Sequence, residues 1–291
     1  MLRAVPQSVD FLILGAGWTS QFLIPELENQ NVTYAATTTS GRDNTIPFRF
    51  NPDSDDTKPY EGLPSAKTVL ITFPLRGVGQ SDLLTRLYRS VHGDEARWIQ
   101  LGSTGIFSKE KDTSGGSDGW SDEDSPYDQT DARAIAEDEL MQCVGGCVLN
   151  LCGLYGGERV PSTWIPRLAK TKEDVRARRS VHFVHGVDVA RAVLAVHSKF
   201  SFGKRWIVTD LRVYDWWDLI CSFSALAGSG DAAKNSKEVE TRLQFARWVG
   251  ELMVEEGVRA LPREQAQLGR KLDGRGFWNA MGLWPVHSRL A

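Results

Sequence analysis

Two glycines close to the start of the chain have the spacing of a phosphate-binding turn. Gly15 and Gly17 follow a short apolar run, residues 10–14, that is typical of a strand buried on both faces. The residues after them have apolar side chains at helical spacing. In a strand–turn–helix of this kind, the first glycine permits the tight turn and the second lets the backbone approach a pyrophosphate. The N–H groups that begin the helix then face the phosphates. The pattern predicts a dinucleotide-binding βα unit whose contacts are Gly15, Gly17, Trp18, Thr19 and Ser20.

The end of the second predicted strand, residues 31–37, indicates which dinucleotide is bound. An acidic residue that holds the ribose 2′-OH commonly stands about 20 residues after the glycines. Hydroxyls and a guanidinium stand here instead, and they suit a 2′-phosphate, which an arginine can hold with two parallel hydrogen bonds. The segment therefore favours NADP over NAD, and the alternative is a surface turn with an incidental arginine next to Asp43. The residues concerned are Thr38, Thr39, Ser40 and Arg42.

Buried strands alternate with amphipathic helices along the first half of the chain. An apolar strand pattern at 67–73 ends at Pro74, and helical spacing from 80 to 91 precedes another strand at 97–101. This alternation predicts the α/β class, with a Rossmann-type doubly wound parallel sheet and a smaller C-terminal substrate-binding part. In such a fold the loop after the strand at 67–73 passes the cofactor, so we expect Phe73 and Pro74 to line it.

The composition excludes several classes of function. The chain has 291 residues and a net charge of -3, which argues against a nucleic-acid or anionic-membrane partner. No apolar run approaches the roughly 20 residues that cross a bilayer. The four cysteines form no disulfide framework, and core cysteines are favoured over a metal site because three of them lie in or beside apolar stretches. We expect a cytoplasmic monomer or homodimer that takes a small-molecule substrate and no metal.

An ordered set of segments extends this pattern to about residue 228. The first, Gly102-Ser103-Thr104-Gly105-Ile106-Phe107, follows a predicted strand, and the others lie at 120–126, 149–159, 184–190 and 207–210. In this order they resemble segments of the extended short-chain dehydrogenase/reductases, the family of NAD(P)-dependent nucleotide-sugar epimerases and dehydratases. Ser103 falls on the position of the family's catalytic hydroxyl. The resemblance implies a nicotinamide cofactor that passes Gly102, and a substrate oxygen polarised by Ser103 with Thr104.

The helix predicted after residue 130 lacks the pair that this family uses for proton transfer. The family has Tyr-x-x-x-Lys there, with a glutamate four residues after the lysine. Glu137 sets the register, so Arg133 stands at the lysine position and Gln129 at the tyrosine position. Gln129 cannot do acid–base work near neutral pH. Arg133 could hold a ribose or a phosphate, and Tyr127, two positions early, would serve only if its loop were rearranged.

The resemblance also divides the chain into two parts. Residues 1–155 are expected to form the dinucleotide-binding domain, with strands returning near 181–185 and 205–209. Residues 156–291 are expected to form the substrate-binding and C-terminal helical part. A basic stretch that begins at Arg167 could hold an anionic substrate, although the pattern favours a solvated surface.

Three functions remain open on these residues, because fold resemblance alone does not choose among them. The first is an NADP-dependent oxidoreductase or epimerase that acts on a small carbonyl or hydroxyl compound, with Arg133 and Tyr127 in place of the usual pair. The second is a non-catalytic NADP(H)-binding sensor or regulatory protein. The third is a non-redox isomerase that uses the same pocket. Retention of Ser103 and Thr104 favours the enzyme.

Overall fold

The structure of the protein is a computed structural model that describes residues 7–107, 119–225 and 236–290. Its strands are β1 (Ser8–Leu14), β2 (Tyr34–Thr38), β3 (Ile46–Pro47), β4 (Ser65–Ile71), β5 (Arg97–Ser103), β6 (Trp120–Ser121), β7 (Cys147–Leu151), β8 (Gly153–Tyr155), β9 (Ser180–Val181), β10 (Phe183–His185), β11 (Arg205–Val208), β12 (Tyr214–Asp215) and β13 (Lys271–Leu272). Its helices are α1 (Ser20–Asn29), α2 (Lys58–Glu61), α3 (Gln80–His92), α4 (Ala132–Val144), α5 (Ile165–Leu168), α6 (Lys172–Ala177), α7 (Gly186–Ser198), α8 (Trp216–Ala225), α9 (Ser236–Glu255) and α10 (Arg275–Met281).

The main sheet has seven strands in the order β11-β7-β5-β4-β1-β2-β3. Every neighbouring pair in it is parallel. Parallel neighbours need crossover connections, and α1, α3 and α4 lie in the connections between successive strands. The predicted Rossmann-type doubly wound sheet is confirmed. None of the described helices is long and apolar enough to cross a membrane.

Alternate residues of β1 supply the cores on the two faces of the sheet. Phe11 and Ile13 pack with side chains of α1 and α7, whereas Leu12 and Leu14 pack with side chains of α3 and α4. All four are fully buried. A central strand covered by helices on both faces must be apolar at every position, which is why this stretch is a continuous apolar run rather than an alternating one.

The chain returns to the main sheet after β8 at the second of the two places expected from the sequence. Residues 205–208 form β11, which pairs with β7. Residues 180–185 form strands outside that sheet, since β9 pairs with β12 and β10 pairs with β8. The strand β8 begins two residues after β7 ends and pairs with β10, so residues 183–185 pair with β8 and not with the edge of the main sheet.

The C-terminal part has a separate apolar core and also contributes to the sheet core. Trp217 on α8 and Val249 on α9 are fully buried in a cluster with side chains of α5 and α6. Helix α10 packs instead on β11, where Phe277 and Trp278 are fully buried. The Trp278 indole Nε1 donates a hydrogen bond to the Thr209 carbonyl at 2.9 Å. The aromatic C-terminal segment is therefore anchored to the main sheet.

Candidate functional site

Two adjoining cavities lie at the carboxyl edge of the main sheet. The smaller, of about 240 Å³, is lined by residues that follow β1, β4, β5 and β7, among them Gly17, Thr72 and Ser103. The larger, of about 500 Å³, lies against the segment 152–167. The two share Cys152, Leu154 and Arg159 in their linings, so they lie side by side. Open parallel sheets bind ligands where the strand order reverses, which here is between β1 and β4.

Different physical constraints account for the two glycines of the first turn. Gly15 has a φ of 95°, and a Cβ there would lie 2.6 Å from the Thr72 Oγ1. That hydroxyl donates a hydrogen bond to the Leu14 carbonyl at 3.0 Å. A Cβ on Gly17 would meet nothing within 4 Å, and Gly17 lines the smaller cavity. The fold requires Gly15, whereas an occupant of the cavity would require Gly17.

The residues that lead into α1 line the smaller cavity. Trp18 and Thr19 line it, and Thr19 is the N-cap residue of α1. The Trp18 indole Nε1 donates to the Gly156 carbonyl at 3.2 Å, so the turn is tied to the C-terminal part. Ser20 is buried, and its hydroxyl has no hydrogen-bond partner among the described residues.

The segment predicted to select the 2′-phosphate lies at the end of β2, beside the first turn. The Gly15 N–H donates to the Thr37 Oγ1 at 3.0 Å, which joins the two segments. The Thr38 hydroxyl accepts the Arg42 N–H at 3.2 Å and shares a 2.7 Å hydrogen bond with the Thr45 hydroxyl. The Arg42 side chain is 68% exposed and 3.9 Å from the Asp43 carboxylate. Thr39 and Ser40 are exposed on the same turn.

The two residues expected after β4 lie apart from the cavity lining. Phe73 stacks on Phe50 with ring centroids 6.2 Å apart, and Pro74 is exposed. Thr72 lines the smaller cavity instead. It is the first residue after β4, whereas Phe73 is one position further along the chain, with its ring 3.2 Å from where a Cβ on Gly15 would lie.

The segment after β5 places one hydroxyl at the cavity and buries the next. Ser103 and Gly102 both line the smaller cavity, and the Ser103 Oγ accepts the Gly105 N–H at 3.1 Å. The Thr104 side chain is buried and donates to the Leu151 carbonyl at 3.2 Å. A side chain at Gly102 would collide with Asn150 and Glu137, because β5 packs closely on α4 there. Of the hydroxyls of Ser103 and Thr104, that of Ser103 is therefore the one at the cavity.

A buried polar network holds the main chain of Ser103. The Glu137 carboxylate is fully buried and accepts the Ser103 N–H at 3.2 Å. The Asn150 side-chain amide donates to Glu137 at 2.8 Å and to the Ser103 carbonyl at 3.2 Å. Arg205, from β11, pairs with Glu137 and also donates to the Asp138 carboxylate at 2.6 Å. We call these residues the Glu137–Arg205 network. They hold the main chain at the end of β5.

Tyr127 belongs to this network and not to the cavity. Its hydroxyl donates to the Asp138 carboxylate at 2.8 Å, and the Arg205 guanidinium lies 4.4 Å above its ring. Burial, with the hydrogen bond to Asp138, raises the pKa of Tyr127. Gln129 is exposed. The structure therefore brings Ser103 to the cavity, and no tyrosine is among the described residues that line it.

Arginines supply the charge of the two cavities. Arg133, on the first turn of α4, lines the smaller cavity, Arg167 lines the larger, and Arg159 lines both. Within the described ranges, none of these three guanidiniums has a carboxylate within ion-pair distance. Glu158 is the one acidic residue among those that line the described cavities. Both cavities are therefore suited to an anionic ligand.

Sequence reasoning missed several residues that line the smaller cavity. Thr72 and Leu151 directly follow or end buried strands, and that position alone could have identified them. Cys152, a free thiol whose pKa burial raises well above its ordinary value, and Leu154 follow β7. Arg159 had no such signal, since it comes from a turn far along the chain. No cluster of three or more potential metal ligands occurs in the described part of the chain.

The fold defines the class of protein, that of Rossmann-type α/β proteins whose C-terminal part has an apolar core of its own, and comparisons agree with this fold. No protein-family model matches the chain, and no curated protein sequence matches it. Solved structures do match. A protein from Methylobacillus flagellatus named as an NAD-dependent epimerase/dehydratase has a TM-score of 0.60 at 18% identity, covering 97% of this chain and 94% of that one.

Two further structures carry bound dinucleotides. MoeE5 in complex with UDP-glucose and NAD has a TM-score of 0.58 at 17% identity, over 95% of this chain and 93% of that one. Yeast methylglyoxal/isovaleraldehyde reductase in complex with NADPH has a TM-score of 0.56 at 14% identity, over 94% of this chain and 92% of that one. At these identities the likeness is one of fold.

Proposed function

We propose that the protein binds a nicotinamide dinucleotide, NADP in preference to NAD, and is an oxidoreductase or epimerase for a small carbonyl or hydroxyl compound. The observation that carries the proposal is the open face of Gly17, which lies at the start of α1 in a cavity that also contains Ser103 and Arg133. A helix N-terminus with no side chain in front of it is suited to a pyrophosphate. Similar folds bind NAD and NADPH in solved structures.

The preference for NADP rests on the turn after β2. The exposed Arg42 guanidinium offers a cation, and Thr38, Thr39 and Ser40 in the same segment offer hydroxyls, where an acidic residue would exclude a 2′-phosphate. When bound, the dinucleotide supplies or accepts the hydride. The chain's own residues must then orient the substrate and move the proton.

Ser103 and Arg133 are the residues that we assign to the reacting end of the site. The Ser103 hydroxyl would donate a hydrogen bond to the substrate oxygen, from a main chain held by Glu137 and Asn150. A guanidinium is a poor proton donor, so Arg133 would hold the ribose or stabilise an oxyanion rather than transfer a proton. Because Tyr127 is held by Asp138, a proton would have to reach Ser103 from water or from the ribose.

Cofactor choice is tested by titrating the protein with NADPH and NADH, following the fluorescence of the reduced nicotinamide. Wild type should bind NADPH more tightly, and Arg42→Ala should reduce the ratio of the two affinities about tenfold because one charge-assisted contact to the 2′-phosphate is lost. Gly17→Val should weaken both dinucleotides, since its side chain would occupy the cavity. An unchanged ratio in Arg42→Ala would contradict the assignment of that residue.

Turnover is tested by oxidation of NADPH over a panel of small aldehydes and ketones. Ser103→Ala should lower the rate on the order of a hundredfold with little change in NADPH affinity, the usual cost of removing one positioned donor. Thr104→Val is the matched control for a hydroxyl outside the cavity, and Tyr127→Phe tests whether the tyrosine contributes a proton. If Ser103→Ala keeps full activity, Ser103 has no role in the reaction.

A second function, a dinucleotide-binding sensor without chemistry, is favoured by one specific observation. Gln129, at the position of the family's tyrosine, is exposed, and the nearby Tyr127 hydroxyl is bound to a carboxylate outside the cavity. Tight NADPH binding with no turnover on any compound of the panel would support the sensor over the enzyme.

A further inference from the structure

Arg159 stands at a fixed place between the two cavities. It ends a tight turn in which the Gly156 N–H donates to the Arg159 carbonyl at 3.0 Å and the Arg159 N–H donates to the Gly156 carbonyl at 3.1 Å. This pair of hydrogen bonds closes residues 156–159 into a rigid loop. Both cavities include Arg159 in their lining.

The side chain of Arg159 reaches across to the Gly-rich turn. Its guanidinium carbon lies 4.3 Å from the centroid of the Trp18 ring, a cation–π contact. The same indole donates its Nε1 hydrogen to the Gly156 carbonyl at 3.2 Å. Trp18 is therefore held by both ends of the 156–159 turn, and it serves as a platform that orients the guanidinium.

The charge of Arg159 has no carboxylate partner in the described part of the chain. Arg176, Arg205 and Arg263 by contrast are each paired with a carboxylate at 2.7 Å or less. Arg159 lines a cavity that also includes Trp18 and Thr19, the residues directly before α1, where the helix N-terminus presents partial positive charge. Two positive features on one cavity are suited to an anion between them.

We propose that Arg159 binds the pyrophosphate of the dinucleotide, as a clamp that reaches from the C-terminal part to the cofactor turn. The inference rests on the proposed function, because it needs a dinucleotide in the smaller cavity. A planar guanidinium binds phosphate oxygens with two parallel hydrogen bonds, and its stacking on Trp18 reduces the conformational entropy lost on binding. A substrate in the larger cavity would lie against the other side of the same side chain.

The clamp is tested by measuring the affinity of wild type and variants for three probes. NADPH and ADP-ribose contain a pyrophosphate, whereas AMP does not, and the last two can be measured by competition against NADPH fluorescence. Arg159→Gln should weaken NADPH and ADP-ribose by about tenfold to a hundredfold, the range for one charge-assisted contact, and AMP by less than about twofold. Arg159→Lys should recover part of the loss, since it restores the positive charge but not the two parallel hydrogen bonds of a guanidinium.

Arg167→Gln is the matched control, since Arg167 lines only the larger cavity. It should leave the affinity for all three probes within about twofold of wild type. Equal NADPH affinity in wild type and Arg159→Gln, or an equal loss in Arg167→Gln, would overturn the clamp while leaving dinucleotide binding intact. Absence of NADPH and NADH binding by folded wild type would overturn the proposed function, and the clamp with it. Arg159 is exposed, so the thermal midpoint should not change and serves as the folding check.

Discussion

Two groups of arginines near Ser103 differ in what surrounds their charge. Arg205 is buried in the Glu137–Arg205 network and donates hydrogen bonds to Glu137, Asp138 and Asn150, so its guanidinium is bound by protein groups. Arg133 and Arg159, by contrast, line a cavity and have no carboxylate within reach in the described residues. The first group holds the site together, and the second is available to a ligand. The difference can be tested by mutation. Loss of an arginine of the first group should lower the free energy of unfolding, whereas loss of one of the second group should weaken ligand binding.

The largest expected effect is that of removing Arg205. Arg205→Met should lower the free energy of unfolding by about 3–5 kcal/mol, since it leaves the fully buried Glu137 carboxylate without its cation. Urea unfolding followed by circular dichroism measures the change. The double variant Glu137→Gln/Arg205→Met should recover part of the loss, because the buried charge is gone. A loss of under about 1 kcal/mol would show that the network is not structural.

A smaller effect should appear on acidification, from a buried histidine behind the site. The His182 Nε2 accepts the Leu272 N–H at 3.0 Å, and burial, with the nearby Arg270, lowers the pKa of His182 from 6.5 to about 3. Between these values the unfolded chain binds a proton that the folded chain does not, so stability falls as pH falls. From pH 6.5 to 5 this one group should cost about 2 kcal/mol.

Asp210 opposes this trend over part of the same window. Burial raises the pKa of Asp210 from 3.8 to about 6. Between these two pH values the carboxyl is protonated in the folded protein and ionised in the unfolded chain. Stability from this group therefore rises as the pH falls from 6 to 4. Unfolding midpoints in urea at pH 7, 6 and 5 should show a net decline that is reduced in His182→Gln. Equal slopes in the variant and wild type would assign the decline to other groups.

The smallest expected effect is that of removing an arginine from the cavity. Arg133→Ala should leave the free energy of unfolding within about 0.5 kcal/mol of wild type, because no described carboxylate depends on it. It should weaken NADPH binding about tenfold, since a contact to the ribose or phosphate is lost. Paired measurements of the unfolding midpoint and the NADPH affinity test both statements. A variant that unfolds more easily but binds equally well would place Arg133 in the structural group.

The amino-acid sequence by itself determined the fold, because the signals for it are local. The apolar run of β1, the turn at Gly15 and the helical spacing after it each depend on neighbouring residues, and together they predict a parallel sheet with covering helices. The helix predicted after residue 130 was also a local signal, and α4 begins at Ala132 with Arg133 on its first turn. Its exposure to the cavity follows from the position of α4 beside β5.

The tertiary structure alone decided which side chains meet at the cavity. Arg159 reaches Trp18 across 141 positions of sequence, and only the fold of the 156–159 turn brings them together. Tyr127 is near Arg133 in sequence, yet Asp138 and the distant Arg205 turn its hydroxyl to the other side. Periodicity identifies which face of an element is buried. The direction of a polar side chain depends instead on partners from remote strands, whose positions exist only once the sheet has formed.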